Sequence, residues 1–246
     1  MKYSDKELKI LSRQFILKIF SEDKINILNK VKISIIGLGG IGCPLATYLI
    51  SSGVKNIKLI DGDSVELSNL NRQILFTNDD IGEKKVKIAK NRLLKINPYC
   101  NINTVDIKLT KINLNYLLNS NIVIDATDNW ENMKIVNEFC VKNYIPLITS
   151  SVVGYDIEVA LFENNKKNHL CLNCLFPNKK DVDLPRCDTV GIAGIAAGMA
   201  GLITAQKTIN FLLKFKKESN MLLLLNALDG SSQNIALKKN YNCYLN

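Results

Sequence analysis

Short apolar runs alternate with amphipathic stretches along the first 154 residues of the chain. The runs have the length of buried strands, and the stretches between them place apolar residues at helical spacing. Strands that alternate with helices indicate βαβ units, and therefore a mostly parallel sheet with helices on both faces. The pattern predicts strands at 31–36, 56–60, 101–106, 121–125 and 146–150. It predicts helices at 5–19, 22–30, 42–52, 83–97, 113–119 and 130–143.

The pattern changes after residue 154. We expect a strand at 155–163, an irregular stretch at 164–191, a long glycine-containing helix at 192–214 and a hairpin at 221–238. The small residues of the long helix would let it approach another helix or subunit closely. The expected fold class is therefore α/β and Rossmann-like, with a mostly parallel sheet extended by C-terminal antiparallel strands.

Composition narrows the class of protein. The chain has 246 residues, of which 47% are hydrophobic and 22% charged, and this excludes a disordered chain. The N-terminal segment is charged and lacks the apolar core of a secretory signal, so we expect a cytoplasmic protein. The longest apolar run, 190–205, has 16 residues and is too short to span a membrane.

The net charge of +9 comes mainly from lysine, because only four of the 32 basic residues are arginine. The lysines are scattered, which is typical of a solvated surface and gives no reason to expect nucleic-acid binding. Each arginine is instead a candidate for a site that needs a planar, bidentate guanidinium. The arginines are Arg13, Arg72, Arg92 and Arg186.

A glycine-rich segment follows the first predicted strand and opens the next helix. Its glycines permit a tight turn and a close approach of backbone to phosphate, and the helix N-terminus supplies N–H donors. Asp61 ends the next strand, 19 residues after Gly42, where an acid can accept hydrogen bonds from a ribose. The sequence therefore predicts a nucleotide site that includes Gly37, Gly39, Gly40 and Gly42.

Three further residues suggest which nucleotide binds. Arg72 and Lys85 follow Asp61 within 25 residues, and Asp128 lies just past a predicted strand. Two cations and an additional carboxylate suit ATP with Mg²⁺ better than a nicotinamide cofactor. Taken singly, Arg72 could form a surface ion pair, Lys85 could be a solvated lysine and Asp128 could cap a helix. An NAD-dependent oxidoreductase stays the alternative.

The seven cysteines suggest metal ligation or thiol chemistry more than a disulfide framework. Three of them lie in apolar stretches and are expected to be buried packing residues, namely Cys43, Cys100 and Cys140. Cys171 and Cys174 have the CxxC spacing of half a zinc site. Cys187 lies beside Arg186 and near the start of the long helix, two features that lower the pKa of a thiol.

Several segments together resemble one family. GLGGIGCPLATYLISSGV, LIDGDSVELSNLNRQILFT, DIGEKKV, DATDN, PLITSSVVG and CLNCLFP are similar, in this order, to segments of the ThiF/MoeB/HesA family of E1-like adenylating enzymes. The similarity runs from Arg13 to the last residues. NRQILFT, PLITSSVVG and the DGSS hairpin look closer to the ThiF branch, whose members adenylate the sulfur carrier ThiS in thiamine synthesis. The MoeB branch, which serves molybdopterin synthesis, stays the near alternative.

The resemblance implies an enzyme that adenylates the C-terminal glycine of a small ubiquitin-like carrier and then takes part in sulfur transfer, with a sulfur donor protein as a further partner. It implies a homodimer in which Arg13 reaches into the site of the other subunit. It places Cys187 at a position implicated in a covalent link to the carrier, although a buried loop cysteine is the alternative. The residues that it assigns to Mg-ATP are Gly40, Asp61, Ser68, Asn69, Leu70, Asn71, Arg72, Lys85, Asp128 and Asn129. A catalytically silent half of an E1 complex would lack some of these residues, and none is missing.

The family also places a second CxxC at the C-terminus, which completes a Cys₄ zinc site. Here the matching segment, 243–246, contains only Cys243, and Asn246 stands in the place of the fourth cysteine. We expect a structural zinc on Cys171, Cys174 and Cys243, with the α-carboxylate of Asn246 as the fourth ligand and water or His169 as weaker candidates. The alternative is a site that has decayed and binds nothing. We expect one domain over 1–246, divided into N-terminal helices (1–30), a nucleotide-binding core (31–154) and a C-terminal part (155–246).

Overall fold

The computed structural model describes residues 3–164, 170–177, 191–215, 219–240, 243 and 245. Its strands are β1 Lys32–Ile36, β2 Asn56–Ile60, β3 Asn101–Val105, β4 Ile122–Asp125, β5 Leu147–Val153, β6 Asp156–Phe162, β7 Met221–Asn226 and β8 Ser232–Ala236. Its α-helices are α1 Asp5–Phe15, α2 Glu22–Lys30, α3 Gly42–Ser51, α4 Lys85–Ile96, α5 Trp130–Lys142, α6 Leu172–Leu175 and α7 Gly194–Leu213. Three short 3₁₀ segments lie at Leu67–Asn69, Asn78–Asp80 and Leu114–Leu117.

The strands form one eight-stranded sheet in the order β3-β2-β1-β4-β5-β6-β7-β8. The pairs from β3 to β5 are parallel, and those from β5 to β8 are antiparallel. Strand order reverses between β1 and β4, and the crevice at such a reversal is where open α/β sheets bind ligands. This architecture confirms the predicted fold class.

Both faces of the sheet are covered, which explains why its strands read as continuous apolar runs. Ile33 and Ile35 of β1 pack in a core with α3, α4 and α7. Val123 of β4 and Leu147 of β5 pack on the other face with α5. The prediction that Cys43, Cys100 and Cys140 are buried is confirmed.

Glycine allows α7 to pack directly against α3. A Cβ added at Gly201 would lie 2.5 Å from the carbonyl oxygen of Ile41 and 2.6 Å from Cγ of Pro44. No side chain larger than hydrogen fits there without moving a helix. The expected close approach of this helix is thereby confirmed. Within the described ranges, no helix has both the length and the apolar character needed to cross a membrane.

Two predicted helices differ from the structure. The first ends at Phe15 and not at residue 19, because the N–H of Ile16 already bonds to the carbonyl of Ser12 and that of Leu17 to Gln14, a tighter 3₁₀-like step. The helix expected at 113–119 is only the 3₁₀ segment Leu114–Leu117. The stretch expected to be irregular contains the short helix α6.

Candidate functional site

The glycine turn between β1 and α3 is so tight that its first and last glycines are in contact. Gly37 has φ of +88°, a conformation that favours glycine. A Cβ at Gly42 would lie 2.0 Å from the carbonyl oxygen of Gly37. Gly40 lies under Arg72, since a Cβ there would lie 3.2 Å from Cγ of that arginine and 2.9 Å from Cβ of Ala197. The turn therefore leaves backbone, and not side chains, at the end of β1.

Asp61, which follows β2 directly, joins the turn to the next loop. Its Oδ2 accepts a hydrogen bond from the N–H of Leu38 at 2.7 Å, and its Oδ1 accepts one from the N–H of Asp63 at 2.8 Å. Burial raises the pKa of Asp61, and the charge of Lys85 acts in the opposite direction. The predicted ribose acid therefore lies beside the glycine turn.

Arg72 lies in the loop between β2 and α4, and its side chain packs against Gly40 of the glycine turn. Its Nη1 donates to the carbonyl of Ser68 at 2.8 Å and to Oδ1 of Asn71 at 2.9 Å. Asn69 is buried and closes the loop with its own side chain, since its Oδ1 accepts from the N–H of Glu66 at 3.3 Å. Ser68 and Asn71 are exposed, and Leu70 is half-buried. The five residues predicted as one nucleotide-binding segment thus form one local unit.

Lys85 is the first residue of α4 and is only 6% exposed. Its Nζ lies 3.3 Å from Oδ2 of Asp63, whose Oδ1 lies 3.0 Å from Nζ of Lys108. Partial burial acts to raise the pKa of Asp63, but the hydrogen bond from Lys108 and the charge of Lys85 hold it below the ordinary value. Lys85 is therefore not a solvated surface lysine.

The end of β4 and the segment after it bring two acids, Asp125 and Asp128, to the same edge of the sheet. Asp128 is exposed. Asn129 caps α5, accepting from the N–H of Asn132 at 3.1 Å, so Asp128 is not the cap that it could have been. Asp125 is fully buried, and its burial raises its pKa to about 6. Its Oδ1 accepts from Thr127, whereas its Oδ2 has no hydrogen-bond partner among the described residues.

These residues lie at the carboxyl ends of β1, β2 and β4, the edge at which a parallel sheet binds its ligands. Backbone N–H groups and two cations suit phosphates, and a nearby carboxylate suits a ribose. An exposed carboxylate is the kind of ligand that Mg²⁺ takes together with phosphate oxygens. The arrangement can therefore hold a magnesium nucleotide.

Arg13 lies apart from this group, exposed in the last turn of α1. The helix is fixed to the core through a buried ion pair of Glu7 with Lys55 and a hydrogen bond from Gln14 to the carbonyl of Ser52 at 2.8 Å. No hydrogen bond or ion pair joins the side chain of Arg13 to another described residue. Its predicted role in a second subunit stays a prediction.

Three cysteines predicted as zinc ligands meet in one buried cluster. Sγ of Cys171 lies 3.9 Å from Sγ of Cys174 and 3.7 Å from Sγ of Cys243. With zinc–sulfur bonds of about 2.3 Å, the edge of a tetrahedron of thiolates is about 3.8 Å. The loop is anchored to α5 by a hydrogen bond from the N–H of Leu172 to Asn137 at 3.0 Å. Two of the three sulfur pairs therefore have the spacing that a tetrahedral zinc requires, and the sulfurs of the third pair, Cys174 and Cys243, lie within 4.8 Å of each other.

Several predicted residues lie outside the described part of the chain, namely His169, Arg186, Cys187 and Asn246. Sequence reasoning in turn missed three residues that the structure adds to the site. Asp63 stands two residues after Asp61, a spacing that points to the same loop. Asp125 is the last residue of its strand, two residues before Thr127. Lys108 gave no signal, because it is one lysine among many.

Comparison with known proteins identifies the family. The ThiF family model matches residues 11–245. A sulfur carrier protein adenylyltransferase of Thermus thermophilus is 31% identical over 249 residues, covering 99% of this chain and 92% of that protein. The Escherichia coli sulfur carrier protein ThiS adenylyltransferase is 32% identical over 241 residues, covering 98% and 95%. The Escherichia coli molybdopterin-synthase adenylyltransferase is 30% identical over 244 residues, covering 98% and 96%.

A solved structure extends the likeness to the fold. The crystal structure of Escherichia coli MccB with ATP superposes with a TM-score of 0.84 at 23% identity, over 96% of this chain and 74% of that one. The resemblance found in the sequence is confirmed. The chain belongs to the ThiF family.

Proposed function

We propose that this ThiF-family chain is an adenylyltransferase that activates the C-terminal glycine of a small sulfur carrier protein with ATP. The observation that carries the proposal is that Asp61 and Arg72 contact one glycine turn and that Lys85 acts on Asp61. Asp128 follows β4, the strand that pairs with β1, and is exposed. Relatives that cover almost the whole chain are named as adenylyltransferases of sulfur carriers. Enzyme class and substrate class are thus supported by independent observations.

In the proposed reaction, the carboxylate of the carrier attacks the α-phosphorus of ATP. A bond forms between carboxylate oxygen and phosphorus, the bond to the bridging oxygen breaks, and pyrophosphate leaves with the electron pair. The attacking group is already ionised, so the enzyme needs no general base. Arg72 and Lys85 neutralise the phosphates, and Asp128 would hold Mg²⁺, which supplies further positive charge when bound.

For the carrier, we favour a ThiS-like ubiquitin-fold protein over the molybdopterin-synthase subunit. Support comes from the segments NRQILFT and PLITSSVVG and from the DGSS hairpin, which look closer to the ThiF branch. Sulfur transfer from a donor protein would follow adenylation, with Cys187 as the thiol that links to the carrier.

An apolar groove supports the proposed homodimer. The groove has a volume of about 420 Å³ between the N-terminal helices, α3 and α7, and its lining includes Phe20, Tyr48 and Leu202. Tyr48, which lines the groove, is 52% exposed. Ile16, three residues before the groove residue Ile19, is 71% exposed. Exposed apolar surface of this kind is typical of an interface. Arg13 lies three residues before Ile16. A second subunit that covers this surface would therefore lie close to Arg13.

Zinc, domain structure and location complete the proposal. Cys171, Cys174 and Cys243 would hold a structural zinc that fixes the C-terminal segment to α6, away from the nucleotide. The continuous sheet supports a single domain over 1–246. A cytoplasmic location is part of the proposal.

Exchange of labelled pyrophosphate into ATP tests the proposed function. We expect exchange only when a carrier is added, and faster exchange with a ThiS-like carrier than with the molybdopterin-synthase subunit. Lys85→Gln should slow exchange about 10²-fold, the usual loss for one preorganised charge. Lys87→Gln is the matched control, because Lys87 lies on the same helix but is exposed and paired with Glu83. Absence of exchange with either carrier would contradict the proposal, and reduction of NAD would favour the oxidoreductase.

A further inference from the structure

Asp63 lies between two lysines that approach it from opposite environments. Lys85 contacts Oδ2 from inside the protein, with a side chain only 7% exposed. Lys108 contacts Oδ1 from the solvent side, with a side chain 76% exposed. One carboxylate therefore holds two ammonium groups, each on a different oxygen.

The backbone fixes Asp63 in this position. Its N–H donates to Asp61 at 2.8 Å, and its carbonyl accepts from the N–H of Lys85 at 3.1 Å. A bridge between Ser64 and Lys84 holds the next residues. Asp63 is thus built into the connection between the predicted ribose acid and the start of α4.

The backbone at Lys108 is also fixed by packing, although its side chain is exposed. It follows β3 in a segment that packs on the backbone of Gly62. A Cβ at Gly62 would lie 2.6 Å from the amide nitrogen of Lys108 and 2.7 Å from the carbonyl carbon of Ile107. The close approach brings Lys108 directly beside Asp63.

This arrangement creates a problem of charge when nucleotide binds. Lys85 can neutralise a phosphate only if its ammonium group leaves Asp63 or contacts both Asp63 and the phosphate. Without another cation, Asp63 would then be an unpaired carboxylate near a highly negative triphosphate, and the two negative charges would repel each other. Lys108 already occupies the other oxygen of Asp63.

We propose that Asp63 and Lys108 together hand Lys85 over to the nucleotide. In the empty enzyme Asp63 holds the Lys85 ammonium in place. When ATP binds, Lys85 turns to the phosphates, and Lys108 remains as the counter-ion of Asp63. Both are positioning residues, and the inference rests on the proposed function.

Equilibrium binding of the non-hydrolysable analogue AMPCPP with Mg²⁺ tests the handover. Lys108→Gln should raise the dissociation constant about fivefold, the scale of one partly exposed charged pair. Lys84→Gln is the matched control. It removes the same charge, also beside Gly62, but Lys84 pairs with Asp106 at 3.2 Å and not with Asp63. We expect less than a twofold rise for this control. In turnover, Lys108→Gln should raise KM for ATP and leave kcat within about twofold, since it acts on binding and not on the chemical step.

A second comparison removes Asp63. In an Asp63→Asn background, Lys108→Gln should weaken binding no more than Lys84→Gln does, because the two lysines no longer share a carboxylate. Equal effects of Lys108→Gln and Lys84→Gln in the wild-type background would overturn the handover, whether or not the Asp63→Asn chain folds. Failure of the wild-type protein to bind AMPCPP would instead contradict the proposed function.

Discussion

Two glycines of the same helix should respond in opposite ways to the same substitution. At Gly201, an added methyl group would lie 2.5 Å from the carbonyl oxygen of Ile41, a backbone atom that cannot turn away. At Gly198, nothing lies within 4 Å of the added carbon. Alanine in place of glycine inside a helix stabilises it by about 1 kcal/mol in both cases. At Gly201 the forced separation of α7 from α3 costs about 1–3 kcal/mol more.

The helix propensity term cancels when Gly201→Ala is compared with Gly198→Ala, so the difference reports the contact alone. We expect Gly201→Ala to be less stable than Gly198→Ala by about 2 kcal/mol. At a urea slope of about 2 kcal/mol per M, the unfolding midpoints should differ by about 1 M. Both variants and the wild type are unfolded in urea at one chain concentration and followed by circular dichroism. Equal midpoints for the two variants would refute the packing of α7 on α3.

Three further perturbations follow from the structure. Cys243→Ser should reduce bound zinc from about one per chain to well below half and lower the Tm, whereas Cys140→Ala should keep the metal; zinc retained by the Cys243 variant at an unchanged Tm would contradict the site. Burial raises the pKa of Asp125 from 3.8 to about 6 in the folded protein, so the folded state binds this proton more tightly than the unfolded chain does, and the free energy of unfolding should fall by about 2 kcal/mol from pH 4 to pH 7. Asp125→Asn should remove this fall, as measured by urea unfolding at pH 4 and pH 7, and a fall of the same size in the variant would assign it to other groups. Leu202→Glu places a charge in the apolar groove and should give a monomer in light scattering, whereas Ile112→Glu, at a position 94% exposed, should leave the mass unchanged; a dimeric Leu202 variant would place the interface elsewhere.

The parts of the site that sequence could predict are those that depend on local spacing. The glycine turn and Asp61 lie in one strand–turn–helix–strand unit, so the sequence carries both the residues and their geometry. The same holds for Cys171 and Cys174, which share one loop. Asp128 follows its strand by three residues, and the edge of a parallel sheet brings it to the other strand ends.

Other features depend on contacts that no local pattern records. Lys108 meets Asp63 only because β3 lies beside β2, with the two residues far apart in sequence. The first helix was predicted too long because Leu17 and Ile19 continue its apolar spacing, yet both are exposed, at 54% and 46%. Apolar periodicity is normally read as the buried face of a helix. Here the apolar residues after Phe15 lie on the exposed surface near the groove, and the helix does not continue.

The intact mass of the carrier shows directly whether this chain adenylates the C-terminal glycine of a sulfur carrier. A ThiS-like carrier is incubated with ATP, Mg²⁺ and this protein, and the mass is measured before hydrolysis. We expect the gain of one adenylyl group at the C-terminal glycine, formed about 10²-fold more slowly with Lys85→Gln and not formed on a carrier that lacks its last glycine. An unchanged mass for both the ThiS-like carrier and the molybdopterin-synthase subunit, under conditions in which the protein binds ATP, would contradict it.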